Sequence, residues 1–498
     1  MSLRAFHELH VISDLHLGGK PGFQIFNQGE ILVNLIRYLA EQPSHRRIGL
    51  VLNGDIVDFL AEAPAEYLDP QGAIHKLKRI FYEDTAFSSV WSALQKLVAT
   101  PDRQLVLVLG NHDVELAFPH VNEWLLERLS NNDPAARGRV TICFDGAGFA
   151  CAVGSKRVFC IHGNDVDIWN MVNQRQLLDD ALSINSGRTP PEWDPNAGTR
   201  LVIDVMNEIK RDYPIVDLLK PEVEAVVPTL LTLDPSRLRA ISKILRVAAS
   251  LSRDVVLKTV GFLSAEKEML EGPEPISEEE VMAEFLGNYF EYEAVEPKDA
   301  DTLISDAYDA IERGDEDIAQ PMDEAEFLGP LDYLPAIFSS EKRKVEKLRK
   351  ALKKNLENNY SFTLTHEDDL FHKMDKEMGT EVNYLITRHS HLERAIARSA
   401  PDCYYFNSGT WIRLIQLTEE ILESPEEFAR VYEAFKSGSV QQLDEINDLG
   451  PNRNHSLVML RPTVVSIVEK DGETYGELNL AQSDGSLEPV DNTQLPGR

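Results

Sequence analysis

Mostly apolar runs alternate with amphipathic segments over the first third of the chain. Runs at 9–12, 49–52 and 105–109 are apolar at nearly every position, as strands buried on both faces of a parallel sheet are. Segments 30–41 and 85–98 carry apolar residues at helical spacing. The pattern predicts a βαβαβ unit, and sites in such sheets gather at the carboxyl ends of the strands.

Later apolar runs predict further strands. They lie at 149–153 and 157–161, at 382–387 and 403–406, and at 463–468 and 474–480. Gly154-Ser155-Lys156 and Asp471-Gly472 indicate hairpin turns. We expect these strands to form a second, more antiparallel sheet.

Five short polar motifs follow these predicted strands in a fixed order. They are Asp14-Leu15-His16, Gly54-Asp55-Ile56-Val57-Asp58, Gly110-Asn111-His112-Asp113, His162-Gly163 and His389-Ser390-His391. Their carboxylate, carboxamide and imidazole groups are ligands for divalent metals such as Mn²⁺, Fe or Zn²⁺. The spacing lets Asp14 and His16 face one metal, and the Asp55 carboxylate is suited to bridge two.

Two adjacent metals, ~3.5–4 Å apart in such sites, acidify a bridging water and clamp phosphoryl oxygens. The motifs therefore predict attack on a phosphate ester by a metal-bridging hydroxide. His112 is left over as a proton donor or transition-state stabiliser. Asp58 is the candidate carboxylate to orient its ring.

In this order, D-x-H, G-D-x-x-D, G-N-H-D, H-G and H-x-H resemble the calcineurin-like metallophosphoesterase superfamily, over roughly residues 5–165 and 380–415. The segment from Ser13 to Gly19 is similar to that of bacterial members. The resemblance implies an α/β fold class, a two-sheet β-sandwich flanked by helices. It implies a first metal on Asp14, His16 and His391, a bridging Asp55, and a second metal on Asn111, His162 and His389. It also implies that His112, paired with Asp58, assists the leaving group.

Two positions depart from the family pattern. The residue before H-x-H is Arg388 where the family usually has glycine. Its side chain would either contact the substrate phosphate, beside Asn111, or point to solvent. Phe59 follows G-D-x-x-D, where Ser/Thr protein phosphatases have Arg-Gly. This second departure argues against a protein phosphatase.

The expected organisation is a split core with a long insertion. We place the first part of the metallophosphoesterase core at 1–165, a mostly helical insertion at 166–380, the second part at 381–485 and a disordered tail at 486–498. Residues 264–328 hold 22 acidic and 3 basic residues, which is typical of a solvated helical face or loop; a mobile acidic flap is the alternative. Residues 341–357 predict a basic helix with an apolar stripe that faces a core.

Charge and cysteine content narrow the range of partners and of cellular compartments that we expect. The formal net charge of −32 argues against duplex DNA or RNA as a partner. We expect no secretory signal and no membrane span. The four cysteines show no C-x-x-C spacing and fit buried, reduced thiols, so we expect a cytoplasmic protein.

The function expected from the motifs is hydrolysis of phosphomonoesters or phosphodiesters, with a small-molecule substrate and two metals, manganese favoured. One alternative is a nuclease for single strands or ends. It would use a basic groove built from Arg388, Arg394, Arg398 and the helix from Lys342 to Lys354. The other alternative is a regulatory protein with structural metals that binds a protein partner, or a second copy, through the helical insertion.

Overall fold

A computed structural model of the chain describes residues 3–167, 170–220, 225–234, 341–356, 360–388, 391–451, 453 and 455–496. The chain divides into two compact units: Met1–Thr199, Tyr360–Arg413 and Leu460–Arg498 form the first, and Arg200–Asn359 and Leu414–Met459 the second. These bounds differ from the expected insertion at 166–380, because segments on both of its flanks belong to the first unit. The acidic stretch at 264–328 lies outside the described residues.

Sixteen strands lie in the described residues. They are β1 Arg4–Phe6, β2 Glu8–Ile12, β3 Ile48–Asn53, β4 Arg103–Val108, β5 Val140–Cys143, β6 Phe149–Val153, β7 Lys156–Cys160, β8 Leu219–Lys220, β9 Tyr384–Thr387, β10 Glu393–Ala397, β11 Tyr404–Ser408, β12 Leu414–Gln416, β13 Val458–Met459, β14 Thr463–Lys470, β15 Glu473–Ala481 and β16 Leu487–Pro489.

The α-helices of the described residues follow the same order. They are α1 Gly29–Glu41, α2 Ala73–Lys78, α3 Ser88–Ala99, α4 Pro119–Ser130, α5 Pro134–Arg137, α6 Gln174–Asn185, α7 Ala197–Leu201, α8 Asn207–Ile209, α9 Val227–Leu233, α10 Glu341–Leu356, α11 Asp369–Glu377, α12 Glu419–Glu423, α13 Pro425–Lys436 and α14 Val440–Glu445. Short 3₁₀ turns include Phe59–Ala61 and Val114–Ala117.

A seven-stranded sheet carries the predicted βαβαβ unit. Its order is β16-β15-β14-β2-β3-β4-β5, and β2, β3, β4 and β5 run parallel. The crossover helices α1 and α3 bury Leu32, Leu35, Trp91 and Leu94 against its outer face. The carboxyl ends of β2, β3 and β4 therefore meet at one edge, as the sequence predicts.

The second sheet of the first unit has six strands in the order β1-β6-β7-β9-β11-β10. Pairs β6–β7 and β10–β11 are antiparallel, whereas β7–β9 and β9–β11 are parallel. The hairpin β14–β15 forms as predicted but joins the first sheet, where β14 pairs with β2. A hairpin signal is local, and it does not reveal which sheet edge the hairpin extends.

The two sheets share a core because side chains alternate along each strand. Leu9, Val51 and Val106 point from the first sheet into the layer that also holds Cys151 and Phe406 of the second. The alternate positions pack outward, against α1, α3 and α4 on one side and against α11 on the other. The α/β sandwich of two sheets flanked by helices is thereby confirmed.

The second unit contains the three-stranded sheet β13-β12-β8 and a group of helices. Helix α10 confirms the predicted basic helix, and Leu348 and Leu352 of its stripe are fully buried. It packs against α9, α12 and α13. The stripe is therefore a core seam of this unit.

The expected disordered tail is wrong for residues 486–496. Strand β16 pairs with β15, and the backbones of Leu495 and Gly476 exchange hydrogen bonds of 2.7 and 2.8 Å. Pairing along β15 gives these polar residues backbone partners that their composition does not indicate.

The cysteines are free, and three of the four are buried. Burial raises the pKa of the Cys151 thiol to about 12, so this thiol stays protonated at neutral pH. None of the helices in the described part of the chain is both long and apolar enough to cross a bilayer.

Candidate metal centre

The motif side chains project from loops at one edge of the sandwich. Asp14 and His16 follow β2, Asp55 and Asp58 follow β3, and Asn111 and His112 follow β4. His162 follows β7 of the other sheet, and Arg388 and His391 lie between β9 and β10. His389 lies outside the described residues.

Backbone hydrogen bonds tie the first two of these loops together. The N–H of Asp14 donates to the carbonyl of Gly54 at 3.2 Å, and the N–H of His16 donates to the carbonyl of Asp55 at 2.9 Å. The ladder between β2 and β3 therefore continues into the loops, and it fixes the positions of both polar side chains.

Several site residues have left-handed backbone conformations. The φ angles are 54° at Asp14, 42° at His16, 50° at Asp55 and 60° at His391. Side chains with a Cβ seldom adopt this region, and such strain gathers at functional sites, where the surrounding structure enforces it. These turns set the directions in which the side chains leave the backbone at the ends of the strands.

One compact group consists of Asp14, Asp55 and His162, whose ligand atoms lie within 4.8 Å of one another. His162 Nδ1 lies 3.0 Å from the carbonyl oxygen of Asn53, to which it donates, and this contact fixes the tautomer. Its Nε2 then faces Asp55 Oδ2 at 3.3 Å. A Cβ on Gly54, where φ is +92°, would lie 2.1 Å from His162 Nδ1, so only glycine fits there.

A second compact group, also within 4.8 Å, consists of His16, Asp58 and His112. Asp58 Oδ1 lies 3.2 Å from His112 Nδ1, which is the pairing expected from the sequence. Asp58 Oδ2 lies 3.3 Å from His16 Nδ1, a contact that the sequence analysis missed. One carboxylate thus orients two imidazoles, and His16 Nε2 faces Asp14 Oδ1 at 3.4 Å.

His391 reaches the same place from the second sheet. Its ring lies nearly parallel to that of His16, with centroids 6.2 Å apart and planes inclined by 8°. The structure thus brings together Asp14, His16, Asp55, His162 and His391 among the predicted ligands.

The donor set fits divalent metal ions. Asn111 Oδ1 is buried and has no hydrogen-bond partner among the residues that the structure describes, which is costly for a carboxamide unless a cation takes its lone pairs. The carboxylates of Asp14 and Asp55 and the ring of His162 are 2% exposed or less. Oxygen and imidazole donors without thiolate suit Mn²⁺, Fe or Zn²⁺.

Histidines hold Asp55 in its charged form. Burial by itself raises the pKa of this carboxyl, but the adjacent imidazoles of His162, His112 and His16 outweigh burial and lower the pKa far below its usual range. Asp55 is therefore a carboxylate with two lone-pair-bearing oxygens, as a bridging ligand must be.

Arg388 does not point to solvent. Its side chain is 1% exposed, and its guanidinium forms an ion pair with the carboxylate of Asp14. Nη2 donates to His391 Nδ1 at 2.9 Å, and Nη1 lies 3.7 Å from Asp55 Oδ2. The solvent-exposed alternative is therefore wrong, and this arginine lies among the candidate metal ligands.

Asp113 is a site residue that the sequence analysis quoted without assigning it a role. Its two carboxylate oxygens accept from the N–H of Ile56 and the N–H of Gly110, both at 2.7 Å. Burial and the charge of Asp55 raise the pKa of Asp113 to about 7. Its side chain joins the second and third motif loops. In the sequence, only its place directly after the other residues of the third motif indicated that it belongs to the site.

A buried ionic group supports the third motif from behind. Glu115 accepts from the N–H of Asp69 at 3.2 Å, and Lys76 Nζ pairs with Asp69 Oδ2 at 3.1 Å. Burial raises the pKa of Glu115 to about 7, against a smaller opposing effect of Lys76. The Glu115 carboxyl is thus held near the point of protonation at neutral pH.

Residues 8–221 match the family model of the calcineurin-like phosphoesterases. The match spans the first four motifs. Neither the comparison with curated proteins nor that with solved structures gives a match.

Gly110→Ala should disrupt the centre. A Cβ there would lie 2.1 Å from Asp55 Oδ1 and 2.6 Å from Asp55 N, and a backbone atom does not yield cheaply. Since Asp55 must move, we expect Mn²⁺ affinity measured by calorimetry to fall by about tenfold or more. Gly379→Ala is the matched control, because nothing lies within 4 Å of its added Cβ. An unchanged Mn²⁺ affinity in Gly110→Ala would contradict the placement of Asp55.

Glu115→Gln should stabilise the first unit at alkaline pH only. The folded pKa of about 7 exceeds the ordinary 4.5, so the unfolded chain loses the proton first as pH rises. The contribution of Glu115 to the free energy of unfolding therefore falls as the pH rises from 4.5 to 7, and it stays low above pH 7. In urea unfolding at pH 8 the variant should gain about 1–3 kcal/mol, and at pH 4.5 almost nothing. The exposed Glu123→Gln should show no such dependence; a gain equal at both pH values would refute the assignment.

Proposed function

We propose that this chain, whose residues 8–221 match the family model of the calcineurin-like phosphoesterases, is a metal-dependent hydrolase that cleaves small phosphomonoesters or phosphodiesters with two divalent ions. Manganese is the preferred metal in this proposal, with iron or zinc as alternatives.

One observation carries the proposal. Three loops bring Asp14, Asp55 and His162 within 4.8 Å, and the Asp58–His112 pair lies beside them. Asn111 Oδ1 adds a buried acceptor to which no described residue donates a hydrogen bond. A structural metal needs ligands alone, whereas this edge also holds a partly exposed imidazole oriented by its own carboxylate.

The ligand roles follow the motif assignments. Asp14, His16 and His391 would hold one ion, Asn111, His162 and His389 would hold the other, and Asp55 would be shared between them. Bound ions at such positions polarise phosphoryl oxygens and lower the pKa of a water molecule. His162 and His391 add to this ligand set from the second sheet, because His162 follows β7 and His391 lies between β9 and β10.

His112 delivers a proton to the leaving oxygen. Asp58 Oδ1 lies 3.2 Å from Nδ1 and so favours a proton there, which leaves Nε2 as the atom that exchanges a proton with the ester. The ring is 18% exposed, more than the buried ligands, and a substrate can reach it. The backbone N–H of His112 donates to Asp55 Oδ1 at 2.9 Å, which holds the residue next to that carboxylate.

The surroundings favour a small substrate over a phosphoprotein or a nucleic acid. Phe59 is fully buried in the helix-side core, so no phosphate-binding arginine stands there. Arg394 and Arg398 are buried and pair with Asp368 and Asp375. These two arginines and the buried Arg388 therefore do not line the basic groove that the nuclease alternative needs.

Several finer assignments belong to the same proposal. The protein works in the cytoplasm, and a partner or second copy binds through the residues of the expected insertion. A contact between Arg388 and the substrate phosphate stays a prediction. A regulatory protein with structural metals is the competing function; a stoichiometric partner with no turnover of any ester would favour it.

Asp55→Asn should abolish turnover of p-nitrophenyl phosphate and of its bis-ester in Mn²⁺. The change removes the charge that bridges the ions and faces His162, a loss of several kcal/mol in transition-state stabilisation, on the order of a hundredfold or more. Asp133→Asn is the control, because Asp133 caps α5 and asparagine caps equally well. Full turnover in Asp55→Asn would exclude the dimetal mechanism.

His112→Ala should retain Mn²⁺ stoichiometry but lose kcat. A missing general acid lowers the rate about 10²–10⁴-fold when the leaving group is poor. The loss should therefore be larger for phenyl phosphate than for p-nitrophenyl phosphate, whose leaving group needs less protonation.

His75→Ala, on the exposed face of α2, serves as the control for histidine loss. Loss of bound Mn²⁺ in His112→Ala would make His112 a ligand and remove its role as an acid. An equal loss on both esters would also remove that role.

A further inference from the structure

Helix α10 carries a row of positive charges on the face opposite its buried apolar stripe. Leu348 and Leu352 are fully buried, and they fix how the helix is turned. The opposite face holds four exposed cations, spaced four, three and four residues apart: Arg343, Lys347, Lys350 and Lys354. We call these four residues the basic row. It extends over ~16 Å, because a helix rises about 1.5 Å per residue.

The basic row differs from the flanks of the same helix, where charges are paired. Three ion pairs, each with an N–O distance of 2.7 Å, join charges on those flanks: Arg349–Glu346, Lys353–Glu423 and Lys436–Glu341. Within the part of the chain that the structure describes, Arg343, Lys347 and Lys350 form no ion pair. Like charges at this spacing destabilise a helix, so an anionic group along the row would stabilise it.

The acidic stretch of this chain has the complementary charge. Residues 264–328 hold 22 acidic and 3 basic residues, and its last part, residues 315–326, holds six acidic residues and no basic one. Fourteen residues separate 326 from the start of α10 at Glu341. Such a connection spans up to roughly 45 Å when extended, which is longer than the basic row. Residues 315–326 can therefore reach any point along it.

The covalent connection decides which anion occupies the row. Exposed ion pairs are individually weak and are screened by salt. A short flexible linker, however, gives an attached segment an effective concentration on the order of millimolar, which an external anion must exceed. An external polyanion is also repelled by the net charge of −32.

We propose that residues 315–326 dock on the basic row of α10 through their carboxylates, and that this contact keeps external polyanions off the helix. The row is the part of the cationic surface that a nuclease would still have, since Arg388, Arg394 and Arg398 are buried. A segment of the same chain that occupies the row excludes nucleic acid from it by competition.

Carbodiimide coupling joins a carboxylate directly to a lysine amine and so tests the contact in the full chain. At low salt, peptide mass spectrometry should find amide links from residues 315–326 to Lys347 and Lys350. In about 1 M NaCl, where the Debye length is roughly 3 Å, these links should disappear. The exposed pair Lys353–Glu423, at 2.7 Å, is the internal reference for coupling at low salt.

A mixture of isotopically light and heavy protein separates contact within one chain from contact between two copies. Links that join light to heavy peptides would assign the acidic residues to a second copy and overturn the inference. Absence of links to Lys347 and Lys350, while the reference link forms, would overturn it as well.

Binding of a polyanion probe gives a second readout. The probe is a fluorescein-labelled single strand of twenty thymidines, followed by anisotropy at low salt. One triple variant removes three charges from the docking segment: Asp315→Asn, Glu316→Gln and Asp317→Asn. Its affinity for the probe should rise by about tenfold, because an intramolecular competitor is weakened. Adding Lys347→Gln and Lys350→Gln to this variant should reverse the gain.

A matched variant controls for net charge. It removes three charges from another part of the acidic stretch: Glu278→Gln, Glu279→Gln and Glu280→Gln. This variant should bind the probe nearly as weakly as the wild type does. Equal gains in the two triple variants would attribute the effect to net charge and overturn the inference. A gain confined to the 315–317 variant, together with links at low salt only, would support it.

Discussion

Burying the carboxylates of Asp14 and Asp55 at one edge of a sandwich is the constraint on which this site depends. Each buried negative charge needs a positive partner, and several kcal/mol are at stake for each one left uncompensated. The chain surrounds the pair with His16, His162 and Arg388. The polar residues of the loops thus follow from one electrostatic requirement, and the same requirement attracts divalent metals.

The backbone meets a geometric requirement as well. Adjacent parallel strands place their carboxyl ends side by side, but strand geometry alone sends successive side chains to opposite faces. Left-handed turns at Asp14, His16 and Asp55 bring their side chains to a common point. The continued ladder between the loops and the clamp of Asp113 on Ile56 and Gly110 hold these strained residues in place.

The sequence predicted those parts of the fold that depend on local pattern. The apolar runs of β2, β3 and β4, the crossover helices and the hairpin β14–β15 are visible in short windows, and so are the motif loops that follow strands. The sheet that the hairpin extends is not local, because β14 takes its place beside β2 through pairing across the length of the chain. The strand at Leu487–Pro489 was missed for the same reason, since this three-residue segment forms a strand only where β15 offers an edge to pair with.

The side-chain contacts of the site also divide into those that the sequence predicts and those that depend on long-range packing. The pairing of Asp58 with His112 was predicted from the roles that the motifs suggest, and the two side chains are in contact in the structure. Its second contact, with His16, and the burial of Arg388 against Asp14 depend on how loops from distant segments close on each other.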